Sequence, residues 1–205
     1  IRVVPYMVYF VGRQKPSYDE MTRALSSDVL FVKPARAGSS IGVSRVTNGT
    51  EFHDALTLAS QYSHAVLIEK AIKGRELEVA ILGNPPHHKA SDVGEIIPKD
   101  DFYSYEEKYA ETSQTKVLTQ TDLPSDVREE LRETARNVFQ ALDCSGQARV
   151  DFFLEDNKTV YVNEINTLPG FTNISQYPKL WHEQGVRYSA LVEKLIQLAL
   201  EKKAI

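Results

Sequence analysis

Apolar and polar positions change period repeatedly along the chain, and each change marks an element. Residues 3–11 form an apolar, β-rich run that predicts a strand. Pro5, lacking an amide donor, assigns it to a sheet edge or a strand start. Ser17 followed by Glu20 has capping-box spacing and predicts a short helix through Leu25. Residues 28–33 (DVLFVK) read as a strand ending at Pro34, with a return over 43–46 across a small, hydroxyl-rich loop. Thr50 is expected to cap a helix to about His64, with Phe52, Ala55, Leu56 and Ala59 on one face. Short strands follow at 66–69, 76–82 and 93–97. Val127, Leu131, Ala135, Val138 and Leu142 recur at helical spacing, so a strong helix is predicted over 126–142. Further helices are predicted around 180–183 and over 190–202, the last capped by Ser189.

The stretch 149–172, RVDFFLEDNKTVYVNEINTLPGFT, organises the rest. Period-2 alternation separates Val150, Phe152 and Leu154 from Arg149, Asp151 and Phe153. With Asn157-Lys158 as the loop, Asp156 faces Thr159, Asp151 faces Glu164, and Arg149 faces Asn166. Tyr161 and Ile165 then join the apolar face. Directly opposed side chains lie about 5 Å apart at Cβ, so two carboxylates and an amide converge beside a guanidinium. Such oxygen donors suit a hard cation. An ion-pair ladder on a solvated face fits the spacing equally well.

The loop 34–42 (PARAGSSIG) could cradle phosphate through backbone N–H groups, with Lys33 at its base. The strand–loop–strand order makes it a hairpin rather than a P-loop, since the GK[ST] ending is absent. A plain surface hairpin fits as well. Glu69 closes a short strand beside Gly74 and a charged flank, the candidate domain boundary. His87-His88 lacks metal spacing and reads as a solvated loop. Residues 98–123 form a long polar segment of the length expected of a lid.

Composition narrows the classes. With 205 residues, 42% apolar and 25% charged, the chain is ordinary globular material. A net charge of -4 with dispersed basic residues argues against nucleic acid and against a polybasic membrane site. Cys144 is the only cysteine, which excludes an intrachain disulfide and points to a reducing, cytoplasmic setting. No apolar run approaches the roughly 18 residues of a membrane span, and no signal peptide is visible. The chain starts without Met inside an expected strand, so residues are expected upstream.

Three motifs in series are distinctive together: VKPARAGSSIGV at 32–43, FYSYEEKY at 102–109, and RVD at 149–151 with NEINTLPGFT at 163–172. Over nearly the whole chain, in order, they resemble the central and C-terminal domains of the D-alanine–D-alanine ligase family of ATP-grasp enzymes. The resemblance implies an α+β fold in which two subdomains, 1–74 and 75–205, hold nucleotide between two antiparallel sheets. The ω-loop would be 98–123, and the family's N-terminal domain has no counterpart here.

The implied reaction, in peptidoglycan precursor synthesis, joins two D-alanines with ATP through an acyl phosphate. On this resemblance Lys33 contacts phosphate and Ser39 and Ser40 lie in the flap above it. Glu69, Lys70, Ala71 and Ile72 read adenine, and Glu76 holds the ribose. Lys108 neutralises the γ-phosphate, and Tyr109 with Ser39 closes the lid. Arg149 and the Gly170 N–H hold the tetrahedral oxygen. Asp151, Glu164 and Asn166 bind two Mg2+ ions, for which Mn2+ can substitute. Ser175 and the Gln176 backbone hold the second D-alanine's carboxylate. A homodimer is implied for the full-length protein, and the fragment alone is expected to be inactive. The competing readings are another ATP-grasp carboxylate–amine ligase and a non-catalytic nucleotide-binding module.

Overall fold

In a computed structural model that describes residues 1–97, 115–172 and 174–202, two antiparallel sheets carry the named strands. The chain divides into two units. One takes Val4–Ile72; the other takes Ile1–Val3, Lys73–Ile97 and the described residues from Lys116 onward. Helices and antiparallel sheets occur in both, so the fold class is α+β.

The Val4–Ile72 unit has a four-stranded sheet in the order β1 (Tyr6–Phe10), β4 (Ala65–Lys70), β2 (Leu30–Pro34), β3 (Ser44–Val46). Helices α1 (Tyr18–Leu25) and α2 (Gly49–Ser60) supply Met21, Leu25, Phe52, Ala55, Leu56 and Ala59 to a core with Leu30, Val32, Val46, Val66 and Ile68. The Ser17–Glu20 capping box forms as expected. Asn48, not Thr50, caps α2, because its side chain accepts the Glu51 N–H. Strand β1 is an edge, as Pro5 suggested, but it is shorter than 3–11. Val3 instead bridges Val162 in parallel within the other unit.

That unit has a five-stranded sheet in the order β7 (Lys116–Leu118), β6 (Lys89–Ile97), β5 (Gly74–Gly83), β8 (Gly146–Glu155), β9 (Thr159–Asn166). Helix α3 (Ser125–Ala141) buries Val127, Leu131, Ala135, Val138 and Phe139 against Leu77, Val79, Ile81, Val150, Phe152 and Leu154. Across the sheet, α4 (Gln176–Glu183) and α5 (Tyr188–Lys202) enclose Ala80 with Tyr177, Leu180, Trp181 and Leu191. Period 2 thus gives β5 one face that is apolar from Leu77 to Ile81, with Arg75 at its end, and one face that is apolar only beneath these helices.

Three expectations need correction here. The segment 98–123 is not loop throughout, since Lys116–Leu118 adds to the sheet edge beside Glu95, Ile96 and Ile97. His88 is not simply solvated; its ring packs 5.2 Å from Phe139, and Nε2 lies 3.3 Å from the Arg136 carbonyl oxygen. Tyr161 leaves the apolar face, pairing with Phe153 and donating to Glu155 Oε2 at 3.3 Å, while Val160 and Val162 fill the core. Among the described residues no helix is long and apolar enough to cross a membrane.

Candidate functional site

The acid and amide groups of β8 and β9 meet as the hairpin reading required. Asp151 pairs with Glu164 and Arg149 with Asn166. The turn differs: Asp156 and Asn157 take φ values of 53° and 54°, Lys158 N–H donates to the Glu155 carbonyl, and Glu155 pairs with Thr159. Consecutive positive φ is the signature of a type I′ turn, which matches strand twist. The turn displaces the ladder by one, and an irregularity after Asp151 restores it: Phe152 faces Val162, Asp151 faces Glu164, and Asn163 is the extra residue.

Side-chain bonds draw the cluster tight. Arg149 donates from Nε and Nη2 to both oxygens of Asp151, at 2.7 Å each. Asn166 Nδ2 donates to Asp151 Oδ2 at 3.0 Å and to Glu164 Oε1 at 3.3 Å. Asp151 is mostly buried, whereas Glu164 faces solvent. Burial alone would lower the Arg149 pKa, but the charges of Asp151 and Glu78 outweigh it and hold the guanidinium above its ordinary value.

Glu78 was not among the expected site residues. It pairs with Asp151 across β5, is 7% exposed, and places Oε1 3.2 Å from Arg149 Nε. Its signal was available: in ELEVAIL an acid sits mid-strand, on the same side as Glu76, among residues that bury completely. A buried carboxylate demands a partner. Glu76, half-buried, lies further along the same face, opposite Phe153.

The loop after β9 brings Gly170 against Ser175. A Cβ on Gly170 would stand 2.8 Å from Ser175 Oγ, so an alanine there would push the Ser175 hydroxyl aside. Ser175 Oγ accepts the Thr172 N–H at 3.0 Å and lies 2.9 Å from the Thr172 hydroxyl. Ser175 is the N-cap of α4 without a capping bond from its side chain, and Gln176 opens the helix. The Gln176 side chain turns inward, 3% exposed, and donates to the Leu118 carbonyl at 2.8 Å. Backbone N–H groups of a first helical turn have no intrahelical acceptor, which suits an anion.

On the Val4–Ile72 unit, Lys33 Nζ lies 2.9 Å from Glu69 Oε2, both side chains mostly buried. They stand on neighbouring strands, with Phe31 directly opposite Glu69. Ser39 and Ser40 have φ values of 57° and 58° in the loop between β2 and β3, where Val43 N–H donates to the Ser40 carbonyl. The N–H groups of Lys70 and Ala71 are taken by Pro5 and Val29. A backbone contact from these two residues to a ligand must therefore use their carbonyls. Ile72 is half-buried. Lys108 and Tyr109 lie outside the described residues.

Among the described residues no group of three or more His, Cys, Asp or Glu is placed to hold a metal. The set that fits a hard cation is mixed: Asp151, Glu164 and Asn166, two carboxylates and an amide that leave other positions to phosphate and water. A cavity of about 880 Å³ lies elsewhere in the same unit, lined in part by Leu82, Asn84, Cys144, Trp181 and Lys194. None of the expected residues lines it, so volume and donor chemistry point to different places, and the donor chemistry is the stronger guide.

The profile described as D-ala D-ala ligase C-terminus matches residues 1–197. A D-alanine–D-alanine ligase of Shouchella clausii is 51% identical over 173 residues, which are 84% of this chain and 47% of that protein. The solved D-alanine–D-alanine ligase from Coxiella burnetii aligns with a TM-score of 0.83 at 35% identity, covering 98% of this chain and 53% of that one. The Bacillus anthracis D-alanine–D-alanine ligase complexed with ATP aligns at 0.80 and 29% identity, covering 100% and 63%. The chain thus spans about half the length of the relatives it matches.

Proposed function

The chain belongs to the family of D-alanine–D-alanine ligase C-termini, and from that premise we propose that its protein joins two D-alanines at the expense of ATP. One carboxylate is phosphorylated by ATP, the amine of the second D-alanine attacks the acyl phosphate, and ADP and phosphate leave. The fold is the α+β ATP-grasp type of its structural relatives. The observation that carries the reading is the convergence of Asp151, Glu164 and Asn166 with Arg149 on one sheet face.

In this reading Asp151, Glu164 and Asn166 hold Mg2+. Bound there, Mg2+ would supply charge neutralisation and a template for the phosphates. Arg149 and the Gly170 N–H stabilise the oxyanion of the tetrahedral species. Lys33 contacts phosphate, Glu69, Lys70, Ala71 and Ile72 face adenine, and Glu76 takes the ribose hydroxyls. The Ser39–Ser40 flap covers the phosphates, with Lys108 and Tyr109 completing the lid. The Gln176 N–H and Ser175 hydroxyl hold the acceptor's carboxylate, which fits their place at the start of α4. Exclusion of water is essential, because the acyl phosphate hydrolyses.

The test is ADP release by the full-length protein with ATP and D-alanine. D-alanine-dependent release, lost in Glu164→Gln, is expected. Release that ignores D-alanine but responds to another amine would assign a different ligase. No release, with the thermal shift from Mg-ATP retained, would favour a non-catalytic nucleotide-binding module. Residues 1–205 alone are expected to bind nucleotide without turnover.

A further inference from the structure

Arg149 is gripped by two acids. Asp151 takes Nε and Nη2 with both of its oxygens, and Glu78, its partner across β5, lies 3.2 Å from Nε. One Asp151 oxygen also accepts from Asn166. Three of the roughly four acceptor sites of Asp151 are thus taken, and the guanidinium's charge opposes a cation beside it, so ligation is favoured when the guanidinium moves. Arginine does not lose its proton in proteins, so the charge must be relocated rather than neutralised. Glu78 is the acid able to receive it: it is buried, on the same sheet face and already in contact. Glu95, the acid on the next strand, is bound to Arg75 and pairs with Leu77 instead.

We propose that Glu78 is a positioning residue that draws Arg149 off Asp151, so that Asp151 can ligate a divalent cation. This rests on the divalent-cation reading of Asp151, Glu164 and Asn166 above.

The test is Mn2+ binding to the full-length protein with a non-hydrolysable ATP analogue, read from the electron paramagnetic resonance of free Mn2+. Glu78→Gln keeps the side chain's size and removes its charge, and affinity should fall about tenfold, the scale of lost supporting contacts at metal sites. Arg149→Met leaves Asp151 already open. Adding Glu78→Gln to it should change affinity by less than about twofold, as a double-mutant cycle on a coupled pair requires. Equal weakening in both backgrounds would reduce Glu78 to a distant charge and overturn the proposal, as would unchanged affinity in the single variant. If wild type binds no Mn2+, the cation reading fails and this inference falls with it. If Glu78→Gln does not fold, Glu78→Asp decides: it keeps the charge but shortens the arm. Weakened Mn2+ binding supports the positioning role, and unchanged binding refutes it.

Discussion

Asp151 stands directly across from Glu164, although from Phe152 to the turn the strands are offset by one residue from that register. A regular ladder set by the Glu155–Thr159 pair would face Asp151 with Asn163 and turn Glu164 toward the core. The extra residue at Asn163 puts Glu164 on the polar face, within 3.3 Å of Asn166. A bulge that re-aims a side chain is a recurrent device beside functional sites.

Glu164→Gln should therefore remove a ligand without unsettling the fold. Glu164 is exposed, so the ligand-free stability should stay within the range of surface substitutions, about 0.5 kcal/mol. A nucleotide at about 100 times its Kd stabilises by roughly 2.7 kcal/mol, and the variant should lose most of that. Thermal melts with and without Mg-ATP measure both. An undiminished shift would exclude Glu164 from the site.

Gly94→Ala tests the packing behind the substrate loop. Its Cβ would fall 1.9 Å from Gln176 Nε2 and 2.9 Å from the Leu118 carbonyl oxygen. The side chain can retreat but the strand cannot, so an overpacking cost of about 1–3 kcal/mol is expected. Adding Gln176→Ala should recover part of it. Chemical denaturation of the three proteins provides the comparison, and a neutral Gly94→Ala would contradict the contact.

Arg75 clasps Glu95 at 2.7 and 2.6 Å and Asp122 at 2.7 Å. Its hydrogen bond, then its charge, holds the Asp122 carboxyl below the ordinary aspartate value. A depressed folded pKa stabilises above the ordinary value of 3.8 and loses that contribution as pH falls through the lower one. Asp122 is solvent-exposed, so the effect is small and screened by salt. Melting temperature followed from about pH 6 to about pH 3 should fall less steeply for Asp122→Asn than for wild type, most visibly at low ionic strength.

Leu131→Ala empties a fully buried position where α3 meets the sheet. A loss of about 2–5 kcal/mol is expected. A denaturation midpoint unchanged from wild type would mean that α3 does not pack as described.

Local patterning decided much of this protein. Period-2 alternation along β8 put Arg149 and Asp151 on one face and Val150, Phe152 and Leu154 on the other, because a strand must send alternate side chains to opposite faces. The Ser17 capping box and the Val127–Leu131–Ala135–Val138 stripe likewise follow from chemistry within a few residues. Tertiary structure decided what depends on distant segments. The turn at Asp156-Asn157 and the compensating bulge at Asn163 were settled by the whole ladder, which also moved Tyr161 off the core face. Lys116–Leu118 became a strand only because β6 offered an edge to pair with. Glu78 reached Arg149 because β5 pairs with β8, two strands some 70 residues apart in sequence, and no local period records that neighbour.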